Sequence, residues 1–324
     1  MIVHTITKRE SNMWYVMKTF AVFFVVMAHM SFSENYHTAE IIRTSIGQIG
    51  VVIFFISSGY FYSRKPNDSK VFWKKKLKTF FLPWFFLATG IFFLSAILFG
   101  VPENRPIAYL KNLFGIGTLY WYMTVTTVLM ILFKFIKKDI FLYICMAISV
   151  ISVVLSATGL IVYKGDFNQY LNVFNWVGFF AAGVLLRKYN ILQKLINTKL
   201  FIASFLGMVV AVIVAILRNI TVEAYIDITS LLLEISGFVF VLNISNILVN
   251  NNLFIDIGKK SFFIYLVHIQ IVGVINTRLP YNALFFILRP VIGLTVCYVI
   301  AVVFKFMLNK IKLGKYNFVF GLDR

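Results

Sequence analysis

Apolar runs long enough to cross a bilayer recur along this chain about ten times, near residues 13–32, 46–63, 79–100, 119–136, 140–162, 171–188, 199–217, 226–249, 261–277 and 284–308. A hydrocarbon core about 30 Å thick is spanned by about 20 apolar residues of helix. Inside it, the backbone must satisfy its own polar groups. The expected fold is therefore an all-α integral membrane protein, a bundle of about ten transmembrane helices. Composition agrees, with 60% of the 324 residues hydrophobic and 13% charged, where soluble domains carry roughly 25% charged residues. Runs four and five are separated only by "KKD" at 137–139, which predicts a tight surface turn. Pro83, Pro280 and Pro290 are expected close to helix ends, where proline does least damage.

A net charge of +19 would suit a nucleic-acid partner, but the cations fall in short clusters between apolar runs and not on one basic face. No nucleic acid is expected. Roughly three quarters of the 31 Lys and Arg lie in alternate loops, the pattern of cytoplasmic retention. Those loops hold Arg64, Lys65, Lys70, Lys74, Lys75, Lys76 and Lys78 before run three, and Lys259 and Lys260 before run nine. Both termini are thereby expected in the cytoplasm. The opposite loops balance a few cations, Arg43 and Arg289 among them, with Glu34, Glu40, Glu103, Asp166, Glu223 and Asp227. No repeat, low-complexity tract or soluble appendage shows, so residues 1–324 read as a single transmembrane domain whose chemistry lies in the bundle and its loops. Cys145 and Cys297 both sit inside apolar runs, so neither a disulfide framework nor a metal site is expected. The first run is interrupted by polar residues and lacks a small-residue cleavage site, so it reads as a retained helix and not a signal peptide.

Ionisable residues within such runs are rare and usually functional. "MKTFAVFFVVMAHMSF", residues 17–32, carries Lys18 and His29. Eleven residues at about 100° each return to within about 20° of the starting direction, placing both on one helix face with a rise of about 16 Å. His29 falls in the outer half of the bilayer, where a neutral imidazole suits a general base or a packing hydrogen bond. Lys18 either serves a ligand or snorkels to the headgroups.

Lys75 and Lys78 in "VFWKKKLKTFFLPWF" are three residues apart, on one helix face, and fit either a phosphate grip or the simple basic signal of a cytoplasmic helix end. In "IGQIGVVIFFISSGYF", Gly47, Gly50, Ser57, Ser58 and Gly59 let helices approach closely or offer backbone to a ligand. Tyr120 and Trp121 in "LYWYM" belong to the outer interface. "SFFIYLVHIQ" places Tyr265 one turn before a second membrane histidine, His268, which favours a shared polar cavity over two idle rings. Glu234 in "SLLLEISG" reads as the one acid well inside an apolar run, protonated or paired with a histidine, Lys18 or an arginine.

In this order and spacing, the motifs resemble the membrane acyltransferase-3 family, ten-helix enzymes that acylate bacterial surface glycans. The resemblance covers essentially the whole chain. That family's basic residue, ten residues, then histidine in helix 1 is met by Lys18 and His29. Its second helix resembles "GVVIFFISSGYF", and its basic pair before helix 3 resembles Lys75 and Lys78. Its fourth and sixth helices resemble "LYWYM" and "VGFFAAGVLLRK", and its late tyrosine-then-histidine motif resembles "SFFIYLVH". Lysine stands here at three positions where arginine is common, replacing bidentate recognition by point charges. Tyr15 stands where an acid is frequent.

The resemblance implies an O-acyltransferase of the bacterial cytoplasmic (inner) membrane, multi-pass, with acyl-CoA (acetyl-CoA by default, succinyl open) as co-substrate and no permanently bound cofactor or metal. Its partners would be the acyl-CoA, a surface glycan or lipid-linked glycan acceptor and the lipid bilayer, with a homodimer left open. His29 and Lys18 would be catalytic, with His29 the base; Lys75 and Lys78 would hold the CoA phosphates. Ser58, Trp121, Glu234, Tyr265 and His268 would bind the acceptor or support the site. The rival is a transporter or flippase for a polysaccharide or lipid-linked sugar, since buried His, Glu and Lys also serve transport. Against it, no paired halves and no matching broken helices are visible. A third class, a non-catalytic subunit of a polysaccharide synthase, is disfavoured by Lys18 and His29 sharing one face.

Overall fold

The computed structural model describes residues 5–31, 37–62, 69–100, 104–118, 120–165, 168–219, 227–280 and 282–322. Arg64, Lys65, Glu34, Glu103, Asp166 and Glu223 lie outside them. Among the described residues there are twelve α-helices and no strand. They are α1 (Lys8–Ala28), α2 (His37–Tyr60), α3 (Ser69–Lys76), α4 (Leu82–Phe99), α5 (Arg105–Phe114), α6 (Trp121–Phe135), α7 (Ile140–Ala157), α8 (Val173–Lys188), α9 (Thr198–Leu217), α10 (Ile228–Ile247), α11 (Asn252–Arg278) and α12 (Ala283–Lys310).

Among the described residues, eight helices are long and apolar enough to cross a membrane, counting α3 and α4 as one. The expected runs 119–136 and 171–188 correspond to the shorter α6 and α8. Burial separates an inner set from an outer one: 72% of the α2 span is buried against 17% of the α9 span. α1 packs on α2 and α11, α2 also on α8 and α10, while α7, α9 and α12 lie outside on α8, α10 and α11. The outer helices are apolar nearly all round, as lipid-facing helices must be.

Glycine permits the tightest approaches in the core. A Cβ on Gly47 would stand 2.5 Å from Ala28 Cβ, and one on Gly50 2.3 Å from Ala21 O, so both glycines press α2 onto α1. This is the close-approach reading of "IGQIG". The "KKD" turn is as tight as expected, with α6 ending at Phe135 and α7 starting at Ile140. It is tied down by Asp139, which accepts from Lys188 Nζ and, at 2.6 Å, from Tyr189 O–H.

Several boundaries differ from the expected runs. α2 begins at His37 and not near 46, so Arg43 is a buried helical residue and not a loop cation. α11 begins at Asn252, capped by the Asn251 side chain accepting from the Leu253 and Phe254 N–H groups. Lys259 and Lys260 are therefore helical, and Lys260 is buried against Asp256. Pro290 lies inside α12, not at its end, and Arg289 beside it is fully buried. Pro83 sits in the first turn of α4, directly after a π turn over Leu77–Phe81. Proline cannot donate to the carbonyl four residues back, and the wider turn accommodates that gap within a continuous helix. Between α4 and α6 the chain also forms the short α5, which the hydropathy runs did not reveal.

At the end of the bundle where α1 begins, Thr7 and Glu10 form a capping box. Glu10 is buried, accepts a hydrogen bond from Tyr60 O–H, and Arg187 Nη1 donates to Tyr60 O at 3.3 Å. Glu234 is thus not the only buried acid. Glu10, Tyr60 and Arg187 join α1, α2 and α8 at this basic end.

Candidate active site

α1 ends one residue short of His29. His29 is its C-cap, with φ −100° and ψ 0°, and its N–H still reaches Val26 O at 3.2 Å. The half-buried His29 ring meets that of His268 on α11, with centroids 5.3 Å apart and planes tilted by 42°. His268 is itself buried, at 1% exposure. Its Nδ1 lies 2.6 Å from Tyr265 O. A carbonyl only accepts, so Nδ1 carries the hydrogen, and in the neutral ring Nε2 is the acceptor. That Nε2 is buried without a hydrogen-bond partner.

From His268, a chain of contacts leads across the core. The Tyr265 ring is 5.7 Å from His268 and 5.5 Å from Tyr122. Tyr122 Oη lies 2.9 Å from Ser58 Oγ, and Tyr122 O–H donates to Phe54 O at 3.3 Å. Trp121 stacks among Trp176 (5.1 Å), Tyr170 (5.2 Å) and Phe55 (6.2 Å). Its backbone is set by Gly115, whose φ of 71° is left-handed and where a Cβ would stand 2.0 Å from Trp121 N. Tyr120 O–H donates to Leu266 O at 3.2 Å, tying this turn to α11.

The structure thus brings His29, His268, Tyr265 and Ser58 into one continuous patch, with Tyr122 joining them and Trp121 beside it. It leaves the expected cations elsewhere. Lys18 is half-buried nearer the basic end, its Nζ 4.9 Å from the Phe61 ring and 5.8 Å from the Tyr15 ring. Such cation–π contacts hold an ammonium in place without neutralising it. Lys259 Nζ approaches the same Tyr15 ring at 5.7 Å. Lys75 and Lys78 are exposed, Lys75 on α3 and Lys78 in the π turn, where its Nζ is 5.6 Å from the Phe318 ring. Glu234 is buried on α10, and its Oε1 has no hydrogen-bond partner. Among the described residues it forms no ion pair with a histidine, Lys18 or an arginine.

Two arginines expected in loops, and an asparagine that the sequence does not single out, surround His29. Arg43 donates to Ala28 O, Asn276 Nδ2 donates to His29 O at 3.1 Å, and Arg289 Nη1 donates to Ser31 O at 2.5 Å. Arg43 also lies within electrostatic reach of both His29 and Tyr170. An arginine inside the run 284–308 was a readable signal, because such residues are seldom idle. Among the described residues, no three His, Cys, Asp or Glu side chains gather as a metal site.

A helical bundle with two histidines packed together between two of its inner helices defines a multi-pass membrane protein with a polar site in its core. Residues 15–308 match the family described as "Acyltransferase domain", so the chain belongs to the acyltransferase-3 family of membrane acyltransferases. No curated protein and no solved structure matches it.

Proposed function

We propose that the protein transfers an acyl group, acetyl by default, from cytoplasmic acetyl-CoA to a hydroxyl of a cell-surface polysaccharide or its lipid-linked precursor in a bacterial cytoplasmic membrane. The observation that carries this reading is the His29–His268 contact at the far end of the helix that holds Lys18. A rise of about 16 Å separates Lys18 from His29, a length comparable with an extended pantetheine arm.

In this reading, Lys75 and Lys78 attract the CoA phosphates at the basic end, with Lys18 deeper in the path, and the thioester extends toward His29. The acceptor hydroxyl oxygen attacks the thioester carbonyl carbon while His29 takes its proton. The C–S bond then breaks, the acyl–oxygen ester is complete, and the leaving thiolate receives the proton held by the His29 imidazolium, which returns to its neutral form. His268 packs against the base, and Trp121 with Tyr265 walls the acceptor side, where an aromatic face suits a sugar. Acyl transfer in this form requires nothing of Glu234, which is buried on α10.

The test is transfer of label from radiolabelled acetyl-CoA to a surface-glycan extract by purified protein in nanodiscs. Wild type is expected to transfer label and His29→Ala not to, with unchanged expression and thermal unfolding. Full transfer by His29→Ala removes the base; no transfer by folded wild type that binds glycan favours the transport reading.

A further inference from the structure

A helix leaves its last four carbonyls without internal partners, and the common remedy is a left-handed glycine just past the end. α1 has no such glycine, since Met30 and Ser31 follow His29. Its end is held instead by donors from three other helices. Arg43 of α2 donates to Ala28 O. Asn276 of α11 uses both ends of its amide, Nδ2 donating to His29 O at 3.1 Å and Oδ1 accepting from Ser31 N–H at 3.1 Å. Arg289 of α12 donates from Nη1 to Ser31 O and from Nη2 to Leu279 O at 2.6 Å.

We infer that Arg43, Asn276 and Arg289 are positioning residues that fix the His29 imidazole for acyl transfer, by clamping the peptide groups before, at and after it. The inference rests on the reading of His29 as the base. A cap that served stability alone would need to satisfy only the terminal carbonyls; this one also holds Ser31 N–H and closes on Leu279. It exploits the negative end of the α1 dipole, which favours guanidinium groups. Asn276 also lies on α11, as does His268, about two turns earlier. One rigid element therefore sets both the backbone of His29 and the ring that faces it. Displacement of a reacting group by about 1 Å costs up to about 100-fold in rate, so the clamp controls turnover and not substrate affinity.

The deciding variant is Asn276→Asp, which keeps an acceptor for Ser31 N–H and removes the donor to His29 O. Initial rates with labelled acetyl-CoA are expected to show kcat lowered about 10- to 100-fold, with the acetyl-CoA KM within about twofold. The second readout is the imidazole ¹⁵N spectrum of protein labelled at its 4 histidines, with the His29 resonance assigned by its loss in His29→Ala. Asn276→Asp should shift that resonance and leave that of His37 in place. Wild-type kcat, or a lowered kcat with an unmoved His29 resonance, overturns the clamp. Should Asn276→Asp fail to fold, Arg289→Lys decides the matter by the same two readouts, because it keeps the charge and loses the two-point grip. If wild type transfers nothing, or His29→Ala still transfers, the base reading fails and the resonance alone decides the clamp.

Discussion

The imidazoles of His29 and His268 face each other at 5.3 Å across the contact between α1 and α11, although the two residues are separated by most of the chain. Only one of them has its tautomer fixed by a backbone carbonyl, His268 through Tyr265 O at 2.6 Å. That asymmetry leaves the His29 ring without a backbone carbonyl to fix its tautomer, in keeping with the proposed division into a base, His29, and a supporting ring, His268.

Replacing the supporting ring should therefore slow turnover without ending it. His268→Asn is expected to lower kcat about 10- to 100-fold and His29→Ala to leave no measurable transfer. Equal residual rates in the two variants would refute this division of labour.

Lys75 and Lys78 are exposed point charges, so their pull on a phosphate is screened by salt. Changing both to Gln should raise the acetyl-CoA KM far more than the acceptor KM and flatten the dependence of donor KM on ionic strength. Equal rises in both KM values would indicate a defect in fold instead.

Gly47 offers a packing test beside the proposed active site. Gly47→Val forces atoms into the space held by Ala28 and should destabilise the protein by about 1–3 kcal/mol, with a loss of activity from displacement of the α1 end. Gly90→Ala, inside α4 and with nothing within 4 Å of its Cβ, should leave transfer unchanged and thermal unfolding unchanged or slightly raised, since alanine is the better helix former. Similar unfolding temperatures for the two variants would contradict the packing.

Glu234 is buried on α10 with Oε1 unpartnered. Glu234→Gln keeps its shape and should retain transfer within about twofold and fold normally, since the amide is close in size to the carboxyl and breaks no hydrogen bond at Oε1. A rate loss like that of His268→Asn would return Glu234 to the site.

Hydropathy made the helical bundle legible, along with the tight turn at "KKD" and the glycine contacts of α2, because these follow from local composition and period. The pairing of two histidines was legible as an expectation of a shared polar environment, each being costly alone. What escaped was every feature whose meaning lies in a distant partner. Arg289 and Ser31 are 258 residues apart in sequence, and nothing in either segment specifies the other. Arg43 was assigned to a loop because the first turns of α2, around Glu40, Arg43 and Thr44, are too polar for an apolar window, yet tertiary contacts keep them helical. Lys259 and Lys260 were misplaced for the same reason at the start of α11. Glu10 had a local signal, the Thr7-x-x-Glu10 pattern of a capping box, but its burial depends on Tyr60 of the next helix.

α11 runs for 27 residues, about 40 Å of unbroken helix. Near one end Gly258 rests so closely on α1 that a Cβ there would stand 1.9 Å from Tyr15 O. Farther along it carries His268 and Asn276. This makes α11 a lever with its fulcrum at Gly258 and a working arm of about 15 Å to His268, so that a tilt of about 5° sweeps the imidazole through about 1.3 Å. Whatever shifts the short arm, where Asp256 lies, is felt mechanically at the histidine pair.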